Sequence, residues 1–399
     1  MDLPDTFRPS SMTANEGGLV ERIRQAAERL LSSPRFHRWA AAFPLTRHKA
    51  RREARALFDL CAGFVYSQVL LACVRLKLFE LLADGAQSAQ QVALRTGLSR
   101  DAAERLLDAA VALRLASRRS GGRYGLGMLG AAVLANPGIA DMVEHHGRVY
   151  RDFEDPVALL RGLSGTTALS GYWPYAGNAD AAALDDGRIA DYTALMAASQ
   201  PLVADEVLDT YPVAMHRCLL DVGGGDGSFL RAAARRAPEL RLQLFDLPAV
   251  AAQARRRFVE AGMTTRAEVF GGAFQTDALP RGADLVSVVR VLHDHDDDDV
   301  MQLLRAIRAL LPPDGTLLIA EPMSGVAGAE PVGDAYFGFY LMAMGRGRPR
   351  SEARLTDMLR AAGFCQIGRL PTRIPLQTCV LVARPRPLTN DEAEGVIKR

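Results

Sequence analysis

Between residues 218 and 383, short apolar runs trade places with stretches whose apolar positions recur every three or four residues. The runs fall at 219–222, 240–245, 267–270, 284–289 and 316–320, and the helical stretches at 229–237, 250–261, 300–311 and 354–362. This alternation predicts an α/β domain, a mostly parallel sheet with helices on both faces. Two last runs, 366–370 and 378–383, are joined by a segment that holds Pro371 and Pro375 and has no room for a crossover helix. They predict an antiparallel hairpin as the final pair of seven strands.

The first half of the chain is patterned differently. Residues 1–18 hold Pro4, Pro9, Gly17 and Gly18 without an apolar period and read as a loose tail. An amphipathic helix is expected over 21–31, through Ile23, Ala27, Leu30 and Leu31, stopped by Ser32-Ser33-Pro34. The stretch 57–74 is apolar enough to invite a transmembrane reading, but Asp59, Ser67 and Gln68 interrupt it. A buried helix packed against a second subunit is the better expectation. Ser88 and Gln91 form a capping-box start for a helix that ends at Thr96-Gly97, and Ser99 opens another to 113, with Ala102, Leu106, Leu107, Ala110 and Leu113 inward. The following Arg118 to Tyr124 segment reads as a β-wing. From 156 to 177 a Gly- and Thr-rich loop carrying Tyr172, Trp173 and Tyr175 suits the lining of an apolar cleft or the edge of a core. Helical period returns over 189–211, interrupted by Pro201. The expected organisation is a tail and arm at 1–55, a helical winged-helix-like domain at 56–185 and an α/β domain at 186–399.

Composition narrows the partners. With 399 residues, 49% hydrophobic and 24% charged, the chain can build a sizeable core, and its net charge of +2 does not by itself propose nucleic acid. Helix, turn, helix and wing do raise DNA binding. On the would-be recognition helix, however, Arg100, Arg105 and Arg114 are matched by Asp101, Glu104 and Asp108. A helix of zero net charge is a poor phosphate binder, so the expectation is no nucleic-acid partner. In the arm, Arg35, Arg38, Arg47, Lys49, Arg51, Arg52 and Arg55 face one acid, Glu53, with Phe36, Trp39 and Phe43 interleaved. That composition fits either a peripheral membrane contact or a solvated brace. Five cysteines without CxxC spacing read as buried thiols of a reducing compartment, and no charged n-region with an h-region opens the chain. The expected location is cytoplasmic, with the arm as the feature that would draw the chain to the inner or an intracytoplasmic membrane.

The chemistry is expected where the sheet begins. The run ending at Asp221 continues as Val222-Gly223-Gly224-Gly225-Asp226-Gly227-Ser228, a strand, tight turn and helix. Glycine lets backbone take positive φ and approach a ligand closely. A dinucleotide GxGxxG would need glycine at Ser228, whereas Asp221, Gly223, Gly225 and Gly227 match an acid-x-Gly-x-Gly-x-Gly pattern. That form suits S-adenosylmethionine (SAM), whose amino group a free acid at the strand end could hold. Asp246, followed by Leu247-Pro248, ends the next strand about twenty residues on, where an acid can accept both ribose hydroxyls.

His293 follows the strand at 284–289 on the same edge and Glu321 follows the strand at 316–320. A histidine there can act as a general base, and a carboxylate can orient its imidazole. His293-x-His295 with Asp294 and Asp296 to Asp299 also resembles a metal pattern, but the acids more simply serve the N-terminus of the next helix, so no metal is expected.

LLDVGGGDGSF, FDLP, VLHDHDD, LLPPDGTLLIAEP and LRAAGF together resemble the SAM-dependent O-methyltransferase family that includes the plant caffeate and hydroxyindole methyltransferases, over about residues 57–383. The resemblance implies a class I methyltransferase sheet, Rossmann-like with an antiparallel last strand, a winged-helix dimerisation domain and a homodimer. It implies His293 as base and Glu321 as its partner. It implies cofactor contacts from Asp221, Gly223, Gly225, Asp246, Leu247, Ala273 and Phe274, with Arg290 beside the position of a family lysine. Several positions depart. The family's Gly-Asp-Met-Phe reads Gly271-Gly272-Ala273-Phe274, its lysine is Val289, and its tryptophan is His295. A hinge glutamate has no counterpart in Gly347-Arg348-Pro349-Arg350. The 33–82 stretch with DPVALLRG and YWPY resembles most the bacterial members that methylate the tertiary hydroxyl of C-1 hydroxylated acyclic carotenoids. Another lipophilic or polycyclic acceptor, or a winged-helix regulator, are the alternatives.

Overall fold

The computed structural model describes residues 13–172, 186–376 and 378–385, with backbone alone at 13–19, 186–195 and 198. The chain divides into two compact units, 1–72 and 73–399. The first contains α1 (Thr13–Leu31), α2 (Pro34–Ala42) and most of α3 (Arg47–Arg75). Helix α1 starts within the expected tail, because no proline falls between Pro9 and Pro34 to break it. Pro34 then sits in the first turn of α2, where its missing N–H is harmless. The burial expected of 57–74 does not come from its own chain: only 11% of the most apolar window of α3 is buried in the single chain, and Leu57, Phe58, Leu60, Phe64 and Val65 are exposed, which leaves that face for a second subunit. Apolar residues on several sides of one helix cannot all face its own chain.

In the second unit, α4 (Leu78–Ala83), β1 (Gln87–Ser88), α5 (Ala89–Thr96), α6 (Arg100–Ala112), β2 (Ala116–Arg119) and β3 (Arg123–Leu126) make a winged helix with a three-stranded sheet ordered β1-β3-β2. The capping box is formed: Ser88 Oγ accepts from Gln91 N–H while Gln91 Oε1 accepts from Ser88 N–H. The expected charge matching is also present. Arg100 pairs with Glu104 at 2.9 Å, Arg105 with Asp101 at 2.8 Å and Arg118 of the wing with Asp108 at 2.9 Å.

Next come α7 (Met128–Leu134), α8 (Pro137–Asp152), α9 (Pro156–Leu160) and α10 (Ala168–Tyr172). The loop expected from 156 is thus partly helical. Asp155 caps the N–H groups of Val157 and Ala158, and the Asp152 carboxylate accepts from Ala168 and Leu169. Trp173, Pro174, Tyr175 and Gly177 lie outside the described residues. Helix α11 (Asp186–Thr210) carries Pro201 in its interior and leads to the large sheet.

That sheet is built from β4 (Cys218–Val222), β5 (Arg241–Asp246), β6 (Ala267–Gly271), β7 (Leu285–Val289), β8 (Thr316–Glu321), β9 (Phe364–Leu370) and β10 (Cys379–Pro385), ordered β6-β5-β4-β7-β8-β10-β9. All pairings are parallel except those of β10, which runs antiparallel to both β8 and β9, as the short proline connection predicts. Between strands run α12 (Ser228–Arg236), α13 (Pro248–Glu260), α14 (Asp297–Leu310), a π-helical turn (Pro331–Phe337) continuing into α15 (Gly338–Met344), and α16 (Glu352–Ala361). The pleat divides the core. Leu220, Val222, Val286 and Ile319 pack with α14 and α16, while Leu219, Leu285 and Leu318 pack with α11, α12 and α13. The sequence pattern does not anticipate α15; its Tyr340, Leu341 and Met344 bury against Val149, Leu159 and Leu169.

Candidate active site

Parallel strands whose helices lie on opposite faces leave a crevice beyond their carboxyl ends, where the order reverses between β4 and β7. The turn after β4 stands there. Gly223, Gly225 and Gly227 have φ of +71°, +59° and +80°. A Cβ at Gly223 would stand 2.6 Å from Val291 Cγ2 and one at Gly227 2.5 Å from the Phe258 ring, whereas nothing lies within 4 Å of a Cβ at Gly225. Gly223 and Gly227 are therefore required by packing, and Gly225 leaves bare backbone facing open space. Its N–H donates to Asp246 Oδ2 at 2.8 Å, and Leu247 N–H donates to Asp246 Oδ1 at 2.7 Å. Asp246 is thereby aimed at the turn with lone pairs left for further donors, and burial pushes its pKa to about 6. Bare backbone beside a fixed carboxylate fits the nucleoside half of SAM.

Asp221 requires a correction. It is not a free acid at the strand end: it is 1% exposed, and its Oδ1 accepts from Ser287 Oγ at 2.6 Å across the β4–β7 register. Its Oδ2 lies under the turn, where a Cβ on Gly224 would come within 2.9 Å. Burial raises its pKa to about 7, and its side-chain hydrogen bond ties β4 to β7 beneath the glycine turn. On the other side of Asp246, Gly272 N–H donates to the Asp246 carbonyl at 2.9 Å, and Ala273 N–H donates to Asp277 Oδ2 at 2.8 Å. The Phe274 ring meets His295 edge-on at 4.9 Å. Arg290, at φ +58°, points toward α11: Nη1 donates to Ser199 Oγ at 2.7 Å, and Nη2 lies 3.3 Å from Met196 Sδ.

The structure brings His293 and Glu321 together. Parallel pairing of β7 and β8 puts their carboxyl ends side by side, and Glu321 Oε1 accepts the N–H groups of Val291 and Leu292 at 2.9 and 2.7 Å. Its other oxygen hydrogen-bonds His293 Nδ1. Nε2 lies 3.2 Å from Asp294 Oδ1. Burial works to lower the His293 pKa, but the Asp294 and Glu321 carboxylates outweigh it and hold the imidazole above its ordinary value. Such a pair fixes the Nδ1–H tautomer and aims Nε2 at whatever replaces Asp294 there.

An aromatic wall unread in the sequence continues from this pair. Phe337 packs edge-on to His293 at 5.6 Å, and Tyr336 packs on Phe337 at 5.1 Å and stacks on Tyr340 at 5.8 Å. Tyr340 and Tyr336 hydrogen-bond His145 and His146 of α8, each at 2.8 Å. The run Tyr336-Phe337-Gly338-Phe339-Tyr340 is the signal that could have found it. Of the acids expected to serve α14, Asp297, Asp298 and Asp299 do lie in its first turn, but Asp296, Asp297 and Asp299 also pair with Arg346, Arg350 and Arg354. Among the described residues no His, Cys, Asp and Glu group is arranged to hold a metal.

Comparison with known proteins places this geometry. Residues 171–365 match the O-methyltransferase domain and residues 58–136 the O-methyltransferase dimerisation domain. The demethylspheroidene O-methyltransferase of Cereibacter sphaeroides is 44% identical over 370 residues, covering 92% of this chain and 97% of its own. Its counterpart in Rhodobacter capsulatus is 42% identical over 355 residues, covering 89% and 88%. Among solved structures, human N-acetylserotonin methyltransferase in complex with SAM superposes with a TM-score of 0.68 at 25% identity, covering 84% of this chain and 97% of its own.

Proposed function

Since the chain belongs to the SAM-dependent O-methyltransferases, we propose that its acceptor is the tertiary hydroxyl of a C-1 hydroxylated acyclic carotenoid of the demethylspheroidene or hydroxyneurosporene type. The observation that carries this reading is the 44% identity, over nearly the full length of both chains, to a demethylspheroidene O-methyltransferase; the acetylserotonin enzyme of Mus musculus stands at 32%. The dimerisation domain supports a homodimer.

SAM, when bound, supplies a sulfonium methyl group. Gly223 and Gly225 would hold it through backbone, Asp246 and Leu247 at the ribose, and Ala273 and Phe274 beyond, whereas Arg290 is turned toward α11 and Ser199. His293 Nε2 takes the acceptor's proton as the methyl moves to its oxygen, and Glu321 holds the imidazole and stabilises it once protonated. An alkanol has a pKa near that of water, about 16. A histidine cannot ionise it outright, so proton removal is concerted with methyl transfer. Burial of His293 and the aromatic wall keep water from competing. A polyene acceptor resides in membrane, and the arm offers seven basic residues with the stacked Trp39 and Phe43 rings, 5.1 Å apart, for a peripheral contact with an anionic bilayer.

The deciding experiment is transfer of labelled methyl from SAM to 1-hydroxy acyclic carotenoids carried in anionic vesicles, beside a catechol and a bacteriochlorophyll precursor. Label in the carotenoid alone is expected. Label only in a control keeps the methyltransferase and removes the carotenoid.

A further inference from the structure

The loop that carries His293 is held from outside by a segment the reaction chemistry does not use. Arg350 is 4% exposed. Its Nη1 donates to the Leu292 carbonyl at 2.7 Å and its Nη2 to the His295 carbonyl at 2.7 Å, so one planar group ties the backbone on both sides of His293. Its Nε donates to Asp297 Oδ1 at 2.8 Å. Gly347, at φ +79°, presses on the same loop: a Cβ there would stand 2.2 Å from the His293 carbonyl oxygen, and its N–H donates to Asp296 Oδ1 at 3.1 Å. Arg346 pairs with Asp299. The segment is itself anchored, since the Arg350 carbonyl accepts from Ser324 N–H at 3.1 Å and Ser351 caps α16.

A buried guanidinium is costly to desolvate, and this one spends its donors on three acceptors spread around a single loop. A lysine ammonium lacks the rigid fork to span the two carbonyls and the carboxylate together. We propose that Arg350 is a positioning residue for methyl transfer, and that residues 346–350 form a strap holding His293 in register with Glu321. The inference rests on the reading of His293 as the base. Position matters at that step because a displacement of about 1 Å costs on the order of a hundredfold in rate.

The test uses the full-length Arg350→Met and Arg350→Lys proteins, with Arg354→Ala as a neighbour that removes only the second partner of Asp297. Three quantities are read: S-adenosylhomocysteine (SAH) affinity by calorimetry, the pH profile of kcat, and the nitrogen-15 resonances of His293 in the SAH complex. In Arg350→Met the expected results are an SAH Kd within about threefold of the parent, kcat lower by on the order of a hundredfold, an acid limb moved toward the ordinary imidazole value, and an altered Nδ1 resonance. Arg350→Lys, which keeps the charge but not the span, should fall between the two in kcat, acid limb and resonance, and Arg354→Ala should match the parent. A lower thermal midpoint with kcat, acid limb and resonance unchanged would make Arg350 a purely structural residue and overturn the proposal, as would parallel losses of SAH binding and turnover. The resonance needs no turnover. If His293→Ala stays active, the base reading fails on its own, and an unchanged resonance in Arg350→Lys and Arg350→Met still overturns the strap.

Discussion

His293 sits between two carboxylates, and the sign of their effect is testable. Both raise its pKa against the lowering effect of burial, and a base must be neutral to accept a proton. Turnover should therefore rise with pH through a midpoint above the ordinary 6.5 and be lost below it. Glu321→Gln keeps an oxygen for the Val291 and Leu292 N–H groups but removes the charge. Its kcat should fall, and the acid limb of the kcat profile should move to lower pH; a limb that stays put would take Glu321 out of the pair. His293→Ala should lower kcat by about 10²- to 10⁴-fold with SAH affinity preserved, as measured by single-turnover assay and calorimetry. Asp246, with its pKa raised to about 6, is ionised only above that value. SAM affinity should weaken as pH falls through about 6, by about tenfold per unit for one linked proton, and Asp246→Asn should be weak and flat across the same range. Of these residues the sequence displayed His293, Glu321 and Asp246, since each ends a strand on the same edge. It could not display Ser287 under Asp221 or Asp294 against Nε2, because those contacts join side chains that only the strand register and the turn at 292–294 bring together.

The glycines of the loop after β6 show the same division at the level of an element. The family pattern has an aspartate where this chain has Gly272, which by pattern alone invites restoring it as a gain of function. The structure argues the reverse, because a Cβ at Gly272 would stand 2.9 Å from the Phe245 ring and 3.2 Å from Asp277 Cβ. Gly272→Asp should lower stability by roughly 1–3 kcal/mol through overpacking and should weaken SAH binding, read by denaturant unfolding and calorimetry. Unchanged stability would mean that Phe245 yields without cost. Helix α15 escaped sequence reading because it follows a π-helical turn, where the apolar repeat loses its 3.6-residue period. Helices α12 to α14 were legible because each buries one stripe against one face of the sheet.

For the molecule as a whole, the exposed apolar surface of α3 is the feature a single chain leaves unexplained. Leu60 and Phe64 are 81% and 67% exposed, and the dimerisation domain begins at residue 58. A contiguous exposed apolar patch marks an association site. Replacing Leu60 and Phe64 with Asp should shift the protein from dimer to monomer in analytical ultracentrifugation while the monomer retains its helical circular dichroism. A dimer that survives both changes would locate the interface elsewhere.

The sequence by itself determined the α/β class, the antiparallel closing hairpin, the glycine turn with its two acids and the histidine with its glutamate. All of these follow from local periodicity, turn chemistry and the rule that parallel strands end on one edge. Tertiary structure decided what each side chain touches. It turned Asp221 beneath the turn, ran an aromatic wall from His293 to α8, left α3 exposed and set Arg350 across the catalytic loop. Those outcomes depend on contacts between residues dozens to hundreds of positions apart, which no local pattern of polar and apolar residues encodes.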